Sequence, residues 1–205
     1  LTTLLVIAKE PRPGRVKTRL TPPFTPREAA ALAEAALADT LRAVAAAPAS
    51  RRVLVLDGRA GPWLPPGFDV VPQCAGGLDE RLAAAFAGCD GPALLIGMDT
   101  PQVTPDLLTV DFAGCDAYFG PAEDGGFWAL GLAEPDPELV RGIPMSTPAT
   151  GAAQRDRLVA AGLRVRDAAV LRDVDTAADA EAVAASSPRG RFAEELARLR
   201  AVAGR

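Results

Sequence analysis

Apolar and polar positions alternate along this chain in short blocks, and the blocks predict strands and helices in turn. Leu4-Leu5-Val6-Ile7-Ala8 is a continuous apolar run, the pattern of a strand buried on both faces. Thr25-Pro26-Arg27-Glu28 is a capping box with proline at the first helical position, and it predicts a helix to about Ala47. Arg52 to Leu56, Phe68 to Val71 and Ala93 to Ile96 predict further strands. Leu78, Leu82 and Phe86 recur at four-residue spacing and predict a helix over 78–86. Thr104-Pro105 predicts a short capped helix. Ala117 to Phe119 and Phe127 to Leu132 predict strands around a glycine-rich loop. Thr147-Pro148 predicts a helix to Ala161, which Gly151 weakens. Val165 to Val174 reads as one strand, and Thr176 with Asp179 caps the helix after it. Ser187-Pro188 opens a last helix with Phe192, Leu196, Leu199 and Val202 on one stripe.

Strands alternating with helices imply a mostly parallel sheet covered on both faces. Nothing in 1–205 reads as a linker or a repeat, so one domain is expected. In such folds ligands bind beyond the carboxyl ends of the strands. The loops after the first strand, after Ile96 and after Val174 therefore belong together.

Composition narrows the chemistry. The formal charge is −4, which disfavours nucleic acid or a membrane surface as partner, since both call for a broad basic face. No apolar stretch is long enough to span a bilayer. Leu4 to Ala8 is too short for a signal-peptide core, so a cytoplasmic location is expected. Cys74, Cys89 and Cys115 form neither a metal pattern nor a disulfide framework. There is no histidine, which removes histidine-based acid–base, triad and zinc chemistry. What remains is carboxylates, Lys and Arg, hydroxyls, backbone amides and a hard metal ion.

Three segments carry such groups. Lys9, Arg12, Arg15, Lys17 and Arg19 put five positive charges into eleven residues, around Gly14. Val16 stands where a Walker A loop needs glycine, and there is no dinucleotide fingerprint. Charge and backbone amides still suit a diphosphate or triphosphate, while a solvated loop is the bland alternative. Asp99, in Gly97-Met98-Asp99-Thr100-Pro101, ends a buried strand, and Asp175 follows another. Two carboxylates at strand ends suit Mg²⁺ or Mn²⁺ shared with substrate phosphates. Turn chemistry is the alternative for each. Asp124, before Gly125-Gly126, suits a base for an acceptor hydroxyl, or an ordinary hairpin turn.

Taken in order, these motifs resemble one family. Ala8-Lys9, Pro13-Gly14, Val16-Lys17-Thr18-Arg19-Leu20, Gly97-Met98-Asp99-Thr100-Pro101, Gly120-Pro121-Ala122 with Asp124-Gly125-Gly126-Phe127, and Asp173-Val174-Asp175-Thr176 carry the likeness. It is to an uncharacterised glycosyltransferase-like family of the nucleotide-diphospho-sugar transferase (GT-A) superfamily. The chain is also similar to 2-phospholactate guanylyltransferase and molybdenum-cofactor guanylyltransferase.

The resemblance implies a three-layer α/β/α sandwich whose sheet is mostly parallel with one antiparallel strand. It implies that the first loop wraps a nucleotide's phosphates, with Lys17 in contact and Lys9, Gly14, Arg15 and Arg19 beside it. Gly77 and Arg81 fall to the base side, and Asp99 and Asp175 to the metal. Lys17, Asp99 and Asp124 become the catalytic set. On this reading the basic loop is one wall of the site and the two metal carboxylates the other. Asp79 stands where the family usually has glycine, and Met145 where an aromatic is common. The implied activity is a metal-dependent transferase working from an NTP or NDP-sugar on a small-molecule acceptor. Glycosyl transfer leads, nucleotidyl transfer is the alternative, and a non-catalytic nucleotide binder is the third reading.

Overall fold

The computed structural model describes residues 1–204. Seven strands form one sheet: β1 (Thr3–Lys9), β2 (Arg51–Asp57), β3 (Asp69–Pro72), β4 (Ala93–Ile96), β5 (Ala117–Pro121), β6 (Phe127–Leu132) and β7 (Val165–Asp167). Their order across the sheet is β3-β2-β1-β4-β6-β5-β7. Every pairing is parallel except those of β6, which runs against both β4 and β5. This is the expected α/β sandwich with one antiparallel strand.

Alternation along the strands builds the two faces. Leu4, Val6 and Ala8 join Leu54, Leu94 and Trp128 on the face covered by helix α1 (Pro26–Ala46). Leu5, Val53, Val55 and Leu95 point the other way, against helix α2 (Leu78–Ala87) and Leu158 of helix α3 (Thr150–Ala160). Helices α4 (Ala177–Ser186) and α5 (Arg191–Ala203) pack on the outer side of α1 through a third cluster that includes Leu32, Ala36, Val183, Phe192 and Leu196. Among the described residues no helix is long and apolar enough to cross a membrane.

Both capping boxes form as the sequence predicts. The Thr25 hydroxyl accepts from the Glu28 amide and the Glu28 carboxylate from the Thr25 amide; Thr176 and Asp179 do the same. Three elements differ from expectation. The strand expected over Val165 to Val174 is β7 alone. Beyond it the chain leaves β5, exposes Val170, and keeps a single parallel bridge between Ala122 and Leu171. No helix follows Thr104-Pro105; the amides of Leu108 and Thr109 close separate turns on Pro105 and Asp106. The last helix begins at Arg191 rather than at Ser187-Pro188, because its cap comes from elsewhere. Asp39 of α1, almost fully buried, accepts from the amides of Arg191 and Phe192 at 3.0 and 2.9 Å. The three cysteines are free.

Candidate functional site

The chain runs from β1 outward to β2 and β3, then returns to place β4 on β1's other flank. Between β1 and β4 the order of the sheet reverses, and such a reversal opens a crevice beyond the strand ends. The loop after β1 and the loop after β4 flank that crevice.

Each loop is held from below. The Lys9 amide donates to the Met98 sulfur, joining the two strand ends. The Val174 amide donates to the Asp99 carbonyl at 3.0 Å, and the Gln102 side chain to the Arg172 carbonyl at 2.7 Å. The segment after β7 therefore passes the end of β5, where Leu171 exchanges backbone bonds with Pro121 and Glu123, and lies along the Asp99 loop. The Arg172–Glu123 pair ties it to the turn that carries Asp124.

Lys17 is where the loops meet. Its ammonium stands 2.9 Å from the Asp99 carboxylate and 3.0 Å from that of Asp175, with 9% of the side chain exposed. Its backbone is left-handed (φ 49°), which turns the side chain inward at the start of a short 3-10 turn, Thr18–Leu20. Burial pushes the Lys17 ammonium down, but the charges of Asp99 and Asp175 outweigh it, so its pKa lies above the ordinary lysine value. The expected arrangement, basic loop on one wall and carboxylates on the other, is corrected here. Lys17 sits between the two carboxylates, since a charge this buried requires immediate partners.

The other cations of the loop behave differently. Arg19 lies 3.6 Å from Asp175 and is largely exposed, and Arg12 pairs with Glu10. Lys9 and Arg15 are exposed, and Gly14 turns the loop at positive φ.

The base-side residues form their own knot. Arg81 donates to the Gln73 side chain at 3.0 Å and to the Gly76 carbonyl, and approaches Asp57 at 3.6 Å. Gln73 in turn donates to the Ala8 carbonyl at the end of β1. Gly77 caps α2 without a side chain. Arg81 thus shapes the 73–77 loop at the edge of the same crevice. Asp79 accepts from the Gly142 amide.

Asp124 is exposed, and one of its oxygens accepts from the Gly126 amide at 2.8 Å. The turn expected at Asp124-Gly125-Gly126 forms, and the Asp124 side chain closes it. Gly125 has φ 89°, and a Cβ there would come within 2.1 Å of the Pro148 carbonyl oxygen. The Gly151 amide donates to the Gly125 carbonyl, and a Cβ at Gly151 would meet the Gly126 carbonyl at 2.5 Å. The glycine that weakens α3 in sequence is the one that lets α3 seat the Asp124 turn.

Asp173 is the residue that sequence reasoning passed over. Its carboxyl is pushed up to about 7, first by burial, then by the charges of Asp99 and Asp124; Lys17 opposes the shift and Asp175 adds to it. The signal was present in Asp173-Val174-Asp175. In an extended segment alternate residues share a face. Val174, 1% exposed, enters the third apolar cluster, and the two aspartates share the opposite side.

Asp99 and Asp175 are hard oxygen donors, each a little over one-third exposed, and this suits a divalent ion held jointly with phosphates. Among the described residues no group of three or more His, Cys, Asp or Glu is placed to hold an ion together. Substrate oxygens or water would complete the shell.

The fold is that of the nucleotide-diphospho-sugar transferases. A nucleotide-diphospho-sugar transferase candidate from Desulfovibrio desulfuricans G20 superposes with a TM-score of 0.87 at 26% identity, covering 98% of this chain and 95% of that one. CMP:2-keto-3-deoxy-manno-octonic acid synthetase complexed with CTP shares the fold at 13% identity and TM-score 0.57, covering 92% and 99%. Rv0371c of Mycobacterium tuberculosis H37Rv, in complex with manganese, does so at 24% and 0.53, covering 89% and 96%. No curated protein sequence matches this one.

The chain belongs to the family described as uncharacterized protein conserved in bacteria (DUF2064), whose profile matches residues 31–147. That stretch contains Asp99 and Asp124; Lys17, Asp173 and Asp175 lie outside it.

Proposed function

We propose that the protein is a metal-dependent transferase that moves a sugar from a nucleoside-diphosphate sugar to a hydroxyl acceptor. The observation that carries this reading is the set of carboxylates around the crevice. Asp99 and Asp175 meet at Lys17, and Arg172, next to Asp173, ties the Asp99 loop to the turn that carries Asp124. A phosphorylated acceptor would meet like charge there, whereas a neutral hydroxyl meets a base.

Lys9, Arg15, Arg19 and the amides around Gly14 would line the donor's phosphates, and Gly77 and Arg81 would border its base. Asp99 and Asp175 would hold Mg²⁺ or Mn²⁺, which supplies charge stabilisation at the leaving diphosphate. Asp124 would take the acceptor proton with the oxygen that its own turn leaves free. Placed donors and charges of this kind are worth about 3–4 kcal/mol each in a water-poor site.

The second reading is nucleotidyl transfer from an NTP. The exposed cations Lys9, Arg15 and Arg19 favour it, since three cations along one loop suit a triphosphate.

Thermal shift with NTPs and NDP-sugars, each with Mg²⁺ or Mn²⁺, tests both readings on the native protein and Asp99→Ala. Metal-dependent stabilisation by NDP-sugars, lost in Asp99→Ala, supports the first. The same behaviour with NTPs, followed by pyrophosphate release, replaces it with the second. Stabilisation by neither removes both.

A further inference from the structure

The oxygens that would ligate a divalent ion are already taken by a cation belonging to the chain. Lys17 reaches Asp99 and Asp175 at ordinary ion-pair distances, and these are the same two carboxylates that the metal reading uses. The ammonium is not free to retreat into solvent. Its side chain is 9% exposed, and its backbone is pinned by the Leu20 amide, which donates to the Lys17 carbonyl. Val16 and Leu20, close on either side, are buried.

A divalent ion entering between Asp99 and Asp175 would strip Lys17 of both partners. A buried ammonium without a counter-charge is strongly disfavoured. Its alternative partner is the anion that the metal itself attracts, a phosphate at the basic loop.

We propose that Lys17 is the resident counter-cation of the Asp99–Asp175 centre, displaced by a divalent ion when a phosphate takes over its charge. The inference rests on reading those two carboxylates as the metal pair, and it goes further by making metal and phosphate loading interdependent. Metal alone binds weakly, because Lys17 competes. Metal with phosphate binds well, because the ammonium exchanges two carboxylates for a phosphate oxygen. Each ligand then raises the affinity for the other by the same factor.

The test is Mn²⁺ binding to the full chain, followed through the spin-resonance signal of free Mn²⁺, with and without inorganic pyrophosphate. Lys17→Met is expected to bind Mn²⁺ alone at least about tenfold more tightly than the native protein, because a competing charge at contact distance is gone. Lys17→Arg keeps the charge and should stay weak. Asp99→Asn should abolish binding in every background. If Lys17→Met binds no more tightly than the native protein while Asp99→Asn still abolishes binding, the metal pair stands and this inference falls. If no form binds Mn²⁺, the metal reading itself falls and takes the inference with it.

Should Lys17→Met fail to fold, the native protein still decides. The ammonium resonance of Lys17, slowed in exchange by its two carboxylates, should shift when Mg²⁺ and pyrophosphate are added together. A resonance unmoved at saturation overturns the proposal.

Discussion

The Lys17 ammonium and the Asp175 carboxylate, 158 positions apart in sequence, lie 3.0 Å from each other. That contact closes the loop after β1 onto the segment that follows β7, and Asp99 completes the bridge from the end of β4.

Without metal, Lys17→Met should lose about 1–3 kcal/mol in urea unfolding. Breaking a fully buried pair costs about 3–5 kcal/mol, and the partial exposure of both carboxylates reduces that. Added Mn²⁺ should restore part of the loss in the variant and add less to the native protein.

Asp173 gives a pH dependence of definite sign. Its pKa rises from the ordinary 3.8 to about 7, so the folded chain holds a proton there that the unfolded chain has released. Through this group, stability falls as pH rises from about 4 to about 7 and is level above that. Asp173→Asn removes the penalty. In metal-free buffer the variant should match the native protein near pH 4, and exceed it by roughly 2–3 kcal/mol near pH 8 after allowance for residual exposure. Urea midpoints at the two ends of that range check it.

Gly125→Ala should cost about 2–4 kcal/mol, because its Cβ would collide with the Pro148 carbonyl at a φ of 89°. Gly151→Ala should act in the same direction by pushing on Gly126 from the other side. On the proposed reading both lower kcat for the acceptor step more than they raise KM for the donor, since the turn carries Asp124. Steady-state kinetics with each substrate varied separates the two effects.

Asp39→Ala is the contrasting case. It removes the remote cap of α5 and should cost about 1–2 kcal/mol. Mn²⁺ binding should be unchanged at temperatures where the variant stays folded.

Much of what is local in this fold could be read from the sequence, though Thr104-Pro105 closes turns and not the helix it predicts. Thr25 with Glu28, and Thr176 with Asp179, write their capping boxes within four residues, and both form. Asp99 lies just past the end of β4 as expected, whereas Asp175, read as following a strand, follows an irregular segment eight residues beyond β7. The inward turn of Lys17 could not be read, because its partners lie on two loops that only the finished sheet brings together. Asp39 was illegible for the same reason, its amide partners being 152 and 153 positions away. The overlong strand before Val174 has a different cause. Val165, Val170, Leu171 and Val174 satisfy strand propensity, but the chain must leave β5 to reach the end of β4, and pairing yields to that path.

One consequence concerns inheritance. Leu20 and Val174 both sit in the outer cluster with α4 and α5, each 1% exposed or less. The C-terminal helices therefore clamp the two segments that deliver Lys17 and Asp175. Residues 31–147, by which the family is recognised, carry only Asp99 from that trio. Two chains alike across that window can thus differ in whether they carry this trio at all, and kinship here should be judged by the flanks as much as by the middle.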